Sequence, residues 1–228
     1  MARLPFARRL LKALHPEGIP AFGARLYNAM SGTRIFQRSY DLTAEDILAY
    51  CARGKILDIG TGPGRLLLSL HRRSPQLELV GIDLSQAMVR KAEGHIRAAG
   101  FAESIRVEQA DAKHLPFDDQ SFDTVVSTGS VHHWKTPEQA IDEVYRVLKP
   151  GGWALLYDVA ADTPKEVLTQ CAADFGRVGV FLLWLHSFEE PFYTRDALEG
   201  LGTASRFTNV STAWVGVLCR LAMRKPVP

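Results

Sequence analysis

Cysteine is scarce: the 228-residue chain holds only Cys51, Cys171 and Cys219, an odd number of widely separated thiols. That scarcity excludes a disulfide framework and any paired-cysteine zinc site, and it points to a reducing, cytoplasmic setting with buried thiols. Long apolar runs are missing as well; none approaches the roughly 20 residues that a membrane-spanning helix needs. No repeat or low-complexity tract appears. Neither charge dominates, with 27 Lys and Arg against 25 Asp and Glu. The balance removes any chain-wide electrostatic case for binding nucleic acid. A chain of this length can bury one full α/β core, and alternating strand and helix patterns argue for a single domain.

Glycine is concentrated where it carries most information. The segment Ile56-Leu57-Asp58-Ile59-Gly60-Thr61-Gly62-Pro63-Gly64-Arg65 puts an apolar strand, a carboxylate and three alternate glycines directly before an apolar helix running roughly from Gly64 to Arg72. Such a loop tolerates positive φ and lets a ligand approach where a Cβ would exclude it, while the helix N-terminus favours negative charge. Arg65 stands where a dinucleotide fingerprint wants a third small residue, and no Gly-Lys-Ser/Thr phosphate loop is present. Asp58 is placed to meet a cationic ligand group. A second strand, Leu77 to Ile82, ends at Asp83, about 20 residues past the glycines, where nucleotide folds use an acid to accept from ribose hydroxyls. A third, Ile105 to Gln109, ends at Asp111 and a fourth, Phe122 to Ser127, runs into Thr128-Gly129-Ser130-Val131-His132-His133-Trp134. A helix from Pro137 to Leu148, a turn Lys149-Pro150-Gly151-Gly152 and a fifth strand, Trp153 to Tyr157, follow. Four strand ends therefore bring polar groups to one sheet edge, where open α/β sheets bind ligands.

Four linked motifs carry a resemblance. They are Asp58-x-Gly60-x-Gly62-x-Gly64, Gly81-Ile82-Asp83-Leu84-Ser85-x-x-Met88, Asp111-Ala112-x-x-Leu115-Pro116-Phe117-x-Asp119-x-x-Phe122-Asp123, and Arg146-Val147-Leu148-Lys149-Pro150-Gly151-Gly152. Across about Lys55 to Asp158 the chain resembles a class I S-adenosylmethionine-dependent methyltransferase, type 11 group, similar to the ubiquinone and menaquinone C-methyltransferases. The resemblance implies a doubly wound, Rossmann-like sheet of seven strands, mostly parallel with an antiparallel last strand, plus N-terminal helices and a helical lid. It implies S-adenosylmethionine as cofactor, with Gly60, Thr61, Gly62 and Gly64 along its methionine and ribose, and Asp58 beside the methionine amino group. Asp83 would hold the ribose hydroxyls with Leu84 next to it, and Met88 would cover an adenine face. Asp111 and Ala112 would meet the adenine, and Ser127 and Thr128 would line the methionine end. Plainer roles compete: Asp83 and Asp111 as turn caps, Met88 as core, the Arg146 to Gly152 run as a structural turn.

Methyl transfer needs a base only when the acceptor must lose a proton. His132 and His133, just past the fourth strand, are the candidates, with His133 preferred because Trp134 beside it can fix its orientation. No metal site is expected. Residues 1–40 hold seven basic residues against Glu17 alone, and Leu4, Ala7, Leu10, Leu11 and Leu14 recur at helical spacing opposite Arg8, Arg9 and Lys12. This basic amphipathic segment, residues 3–15, suits either an anionic membrane surface or a cover over the active site. Residues 1–50 are expected to be that cover, 51–160 the cofactor core, 161–193 a substrate lid and 194–228 a closing helix, Thr194 to Leu201, and two strands around Gly216. The apolar run Val178 to Leu185 and the segment up to Tyr193 argue for a small lipophilic or aromatic acceptor. Tyr27 and Tyr193 are further candidates for substrate contact. A nucleic-acid methyltransferase is disfavoured, since Ser127-Thr128-Gly129-Ser130 stands where many amino-methylating DNA enzymes carry Asn/Asp-Pro-Pro-Tyr/Phe; a catalytically inactive cofactor-binding regulator stays open.

Overall fold

A computed structural model describes residues 34–172, 176 and 193–227. The basic segment 3–15 and Tyr27 lie outside them, and of the stretch expected to be a lid only 161–172, 176 and Tyr193 fall within. In chain order the elements are α1 (Arg34–Tyr50), β1 (Gly54–Ile59), α2 (Arg65–Arg73), β2 (Leu77–Asp83), α3 (Gln86–Ala98) and β3 (Ile105–Gln109). After β4 (Phe122–Thr128) come a 3-10 turn (Val131–His133), α4 (Pro137–Val147), β5 (Leu148–Val159), α5 (Arg195–Thr203), β6 (Thr208–Val215) and β7 (Leu218–Arg224). Residues 165–172 are helical.

The strands form one seven-stranded sheet in the order β3-β2-β1-β4-β5-β7-β6. Strands β1 to β5 are mutually parallel, whereas β7 pairs antiparallel with both β5 and β6. The expected antiparallel last strand is present, and it lies one place in from the edge, with β6 outermost. Parallel strands covered on both faces read as continuous apolar runs. Along β5, Leu155 and Tyr157 join one core layer with Ile47, Leu67 and Leu70, while Ala154 and Leu156 join the other with Leu57, Val125, Ile141 and Val144. On α3 the buried residues are Met88, Val89, Ala92 and Ile96, as its periodicity predicts. Met88 is 1% exposed but belongs to neither layer.

Lys149-Pro150-Gly151-Gly152 departs from the expected turn. The run belongs to β5, and pairing with β4 slips from Phe122↔Leu148 to Thr124↔Trp153, which makes it a bulge rather than a break. Gly152 is required there because a Cβ would lie 2.8 Å from the Asp123 carbonyl oxygen and 2.9 Å from that of Lys149. The bulge is pinned by Lys225, whose backbone pairs with Gly151 and Gly152 and whose buried Nζ donates to the carbonyls of Tyr145 and Leu148, 2.7 and 2.6 Å away. A cation thus terminates α4 at the end where its carbonyls lack partners. Replacing Lys225 with methionine keeps the stem and strands both carbonyls. The expected cost is about 2 kcal/mol, or a melting temperature lower by roughly 4–8 °C; an unchanged melting curve would show that solvent satisfies those carbonyls.

Helix α1, within the stretch expected to be an N-terminal cover, packs on α2, where Asp41 accepts from Ser69 Oγ and pairs with Arg73. Asp46 ties the same helix to the sheet, accepting from Tyr157 Oη at 2.7 Å and from Arg220 at 2.7 and 2.9 Å. Among the described residues no helix is long and apolar enough to cross a membrane.

Candidate functional site

Parallel pairing sends the C-terminal ends of β1 to β5 to one edge, and the predicted residues assemble there. Gly60, Gly62 and Gly64 all adopt positive φ, at 74°, 53° and 74°. A Cβ on Gly60 would collide with Ser130 Oγ, an atom itself held by the Trp134 indole N–H at 3.2 Å. The loop's amides are used internally. Gly60 and Thr61 donate to the Ile82 carbonyl, Gly62 to Asp83 Oδ2 at 2.9 Å, and Gly64 to the Thr61 carbonyl. The glycines therefore supply backbone shape and room for neighbouring side chains, and their amides are already engaged within the protein. Gly81 belongs to the same packing, for a Cβ there would meet Leu67 Cδ1 at 2.7 Å and Thr61 Oγ1 at 2.9 Å.

Two carboxylates lie beneath this loop. Asp58 is 1% exposed and accepts from Thr61 Oγ1 at 2.7 Å. Burial lifts its carboxyl to about 7, partly offset by the Thr61 bond and reinforced by the nearby charge of Asp83. Asp83 accepts from the Gly62 and Ser85 amides, and burial raises its pKa despite both bonds. A carboxylate has about four lone-pair positions, so those two bonds leave room for further donors. Asp83 thus closes a turn and retains capacity for ribose hydroxyls. Next to it, Leu84 is one of two large apolar side chains exposed among the described residues.

Asp111 closes an Asx turn, accepting from the Lys113 amide at 3.0 Å and pairing with Lys113 Nζ at 3.5 Å, with Ala112 half-buried behind it. The loop that follows is built by α4. Arg146 donates to the carbonyls of Leu115 and Phe117 and to Glu143 and Asp119, and Glu143 accepts from the Leu115 amide. The third and fourth sequence motifs are therefore one structural unit.

At the end of β4, Ser127 Oγ and Thr128 Oγ1 are buried without a hydrogen-bond partner among the described residues. Buried polar atoms are ordinarily satisfied, and a polar ligand at this edge would satisfy this pair. The histidines differ in setting. His132 is 4% exposed, and both its amide and its Nδ1 bond the Asp158 carboxylate at 2.9 Å; His133 is half-buried, its ring 3.9 Å from that of His132. A carboxylate only accepts, so Nδ1 of His132 carries the proton and its basicity resides on Nε2. The Trp134 indole engages Ser130, not His133. Asp158, 2% exposed at the end of β5, is the partner that sequence reading missed; its signal is a fourth acid at the same edge as Asp58, Asp83 and Asp111. Tyr193 is buried and its phenol is raised above its usual range by burial and by the charges of Glu138 and Asp158.

These residues fit S-adenosylmethionine: acceptors for its ribose and ammonium, and hydroxyls in need of partners. Comparison with known proteins agrees. Residues 57–156 match the family model described as a methyltransferase domain. A ubiquinone/menaquinone biosynthesis C-methyltransferase of Geotalea daltonii is 33% identical over 132 residues, 58% of this chain and 55% of the relative. A demethylmenaquinone methyltransferase of Thermus thermophilus is 38% identical over 128 residues, 56% of this chain and 55% of the relative. The chain thus spans about half the length of the curated relatives it matches. A SAM-dependent methyltransferase from Aquifex aeolicus shares the fold, with a TM-score of 0.65 at 16% identity over 90% of this chain and 98% of that one. Residues 57–156 thus match a methyltransferase domain, and the motif order and sheet order of the chain agree with the class I S-adenosylmethionine-dependent type.

Proposed function

We propose that the protein transfers a methyl group from S-adenosylmethionine to a small lipophilic or aromatic acceptor. The observation that carries this is the single sheet edge bearing Asp58, Asp83, Ser127, Thr128 and the His132–Asp158 pair around a close-approach glycine loop. The cofactor supplies an activated methyl on a sulfonium. The chain's contribution is alignment of acceptor, methyl and sulfur, worth roughly 7–11 kcal/mol when geometry is good. Where the acceptor must lose a proton, His132, oriented by Asp158, is the base, with the His133 ring tilted against it. The acceptor class rests on the apolar lid sequence and on the names of the quinone-pathway relatives. The experiment is transfer of labelled methyl to a panel of quinols, phenols, amines and nucleic acid. Label confined to ring or hydroxyl acceptors supports the reading; label only in nucleic acid, or in nothing while cofactor binds, would replace it with one of the two alternatives above.

A pH dependence accompanies the proposal. A cofactor ammonium near Asp58 favours the carboxylate, so binding must expel the proton that burial retains on this group up to about 7. Affinity should rise as pH climbs toward 7 and level off above it. Calorimetry at pH 7 in buffers of different ionisation heat should show release of about half a proton, abolished by Asp58→Asn. Zero release by the wild type would place the cation away from Asp58.

A further inference from the structure

The glycine loop has one hydrogen-bonding handle that no strand end supplies. Gly60 and Thr61 are held by Ile82, Gly62 by Asp83 and Gly64 by Thr61. Pro63 has no amide to donate, so its carbonyl is all it offers. That carbonyl lies 2.9 Å from Nδ1 of His95, on α3, thirty-two residues away. On the other side of the ring, Nε2 lies 3.3 Å from Nη2 of Arg65, the first residue of α2.

The two contacts fix the ring chemically. A carbonyl can only accept, so Nδ1 must carry the hydrogen; a guanidinium can only donate, so Nε2 must be bare. His95 is therefore neutral, in the Nδ1–H form, bridging the residues on either side of Gly64. The packing agrees. Ala92, His95 and Ile96 lie on one face of α3, and a Cβ on Gly64 would meet Ala92 Cβ at 3.1 Å and Ile96 Cδ1 at 3.6 Å. Among the described residues Arg65 Nε is buried and has no hydrogen-bond partner, and Arg65 forms no ion pair, so the imidazole is the neighbour that orients this guanidinium.

We propose that His95 is a positioning residue for the cofactor loop. Through the Pro63 carbonyl it sets the orientation of the Gly62-Pro63-Gly64 backbone, and through Arg65 it registers α2 against α3, the helix that carries Met88. This rests on the cofactor reading above. Without the clamp the loop must be ordered by the ligand itself, and that ordering cost appears as lost affinity.

The test is binding of S-adenosylhomocysteine by calorimetry to wild type, His95→Ala, His95→Asn and His95→Gln, each checked for native circular dichroism. The asparagine amide nitrogen overlays Nδ1 of histidine, whereas that of glutamine overlays Nε2. Alanine should raise the dissociation constant about tenfold, the size of one lost hydrogen bond. Asparagine should restore it to within about twofold and glutamine should not. Should alanine fail to fold, the asparagine and glutamine pair still decides. Equal dissociation constants for those two, whether both native or both weak, would overturn the Nδ1 clamp. A wild type that binds no S-adenosylhomocysteine would instead overturn the cofactor reading beneath it.

Discussion

Alanine at His132 should lower turnover about a hundredfold or more, with the cofactor dissociation constant nearly unchanged. The basis is the buried bond from Nδ1 to Asp158, which places the ring's basicity on Nε2. Asp158→Asn should fall in the same direction, because an amide can donate toward Nδ1 and no longer fixes the tautomer. His133→Ala, at the half-buried ring beside that of His132, is the comparison variant and should cost less. The comparison uses single-turnover rates over pH 5 to 9, where a His132 base adds an acid limb that its alanine variant lacks. Full activity of His132→Ala at every pH would reduce the pair to a structural pin of the loop after β4, and a defect confined to cofactor affinity would do the same.

Asp83→Ala should weaken cofactor binding by tenfold at the least. Two ribose hydroxyls donating to one carboxylate each contribute roughly 1.5–3 kcal/mol, and the substitution also frees the Gly62 and Ser85 amides. Asp83→Asn retains one acceptor oxygen and should lie between wild type and alanine. An affinity unchanged in both variants, with the fold intact, would leave Asp83 as only the turn residue it already is before α3.

The central sheet was readable because β1, β2 and β4 are buried on both faces, which leaves uninterrupted apolar runs between glycine and proline punctuation. The start of β5 was not. Lys149-Pro150-Gly151-Gly152 has the chemistry of a turn, and it becomes a strand bulge because Lys225, more than seventy residues on, pairs with it. The site divides in the same way. Asp58, Asp83 and the three glycines stand in one compact pattern, so their meeting was legible. The Asp158–His132 and His95–Pro63 contacts join residues 26 and 32 apart with no periodic signal between them. Arg146 was visible as part of a motif, yet only the fold shows it holding Leu115 and Phe117. The preference for His133 rested on Trp134, whose indole turns instead to Ser130.

Calorimetric titration of the full chain with S-adenosylmethionine and S-adenosylhomocysteine, run beside a nicotinamide dinucleotide, tests the account most directly. The site predicts one ligand per chain, bound at micromolar strength, for both sulfur compounds and no heat from the dinucleotide. Heat from the dinucleotide alone, with neither sulfur compound binding, would contradict it.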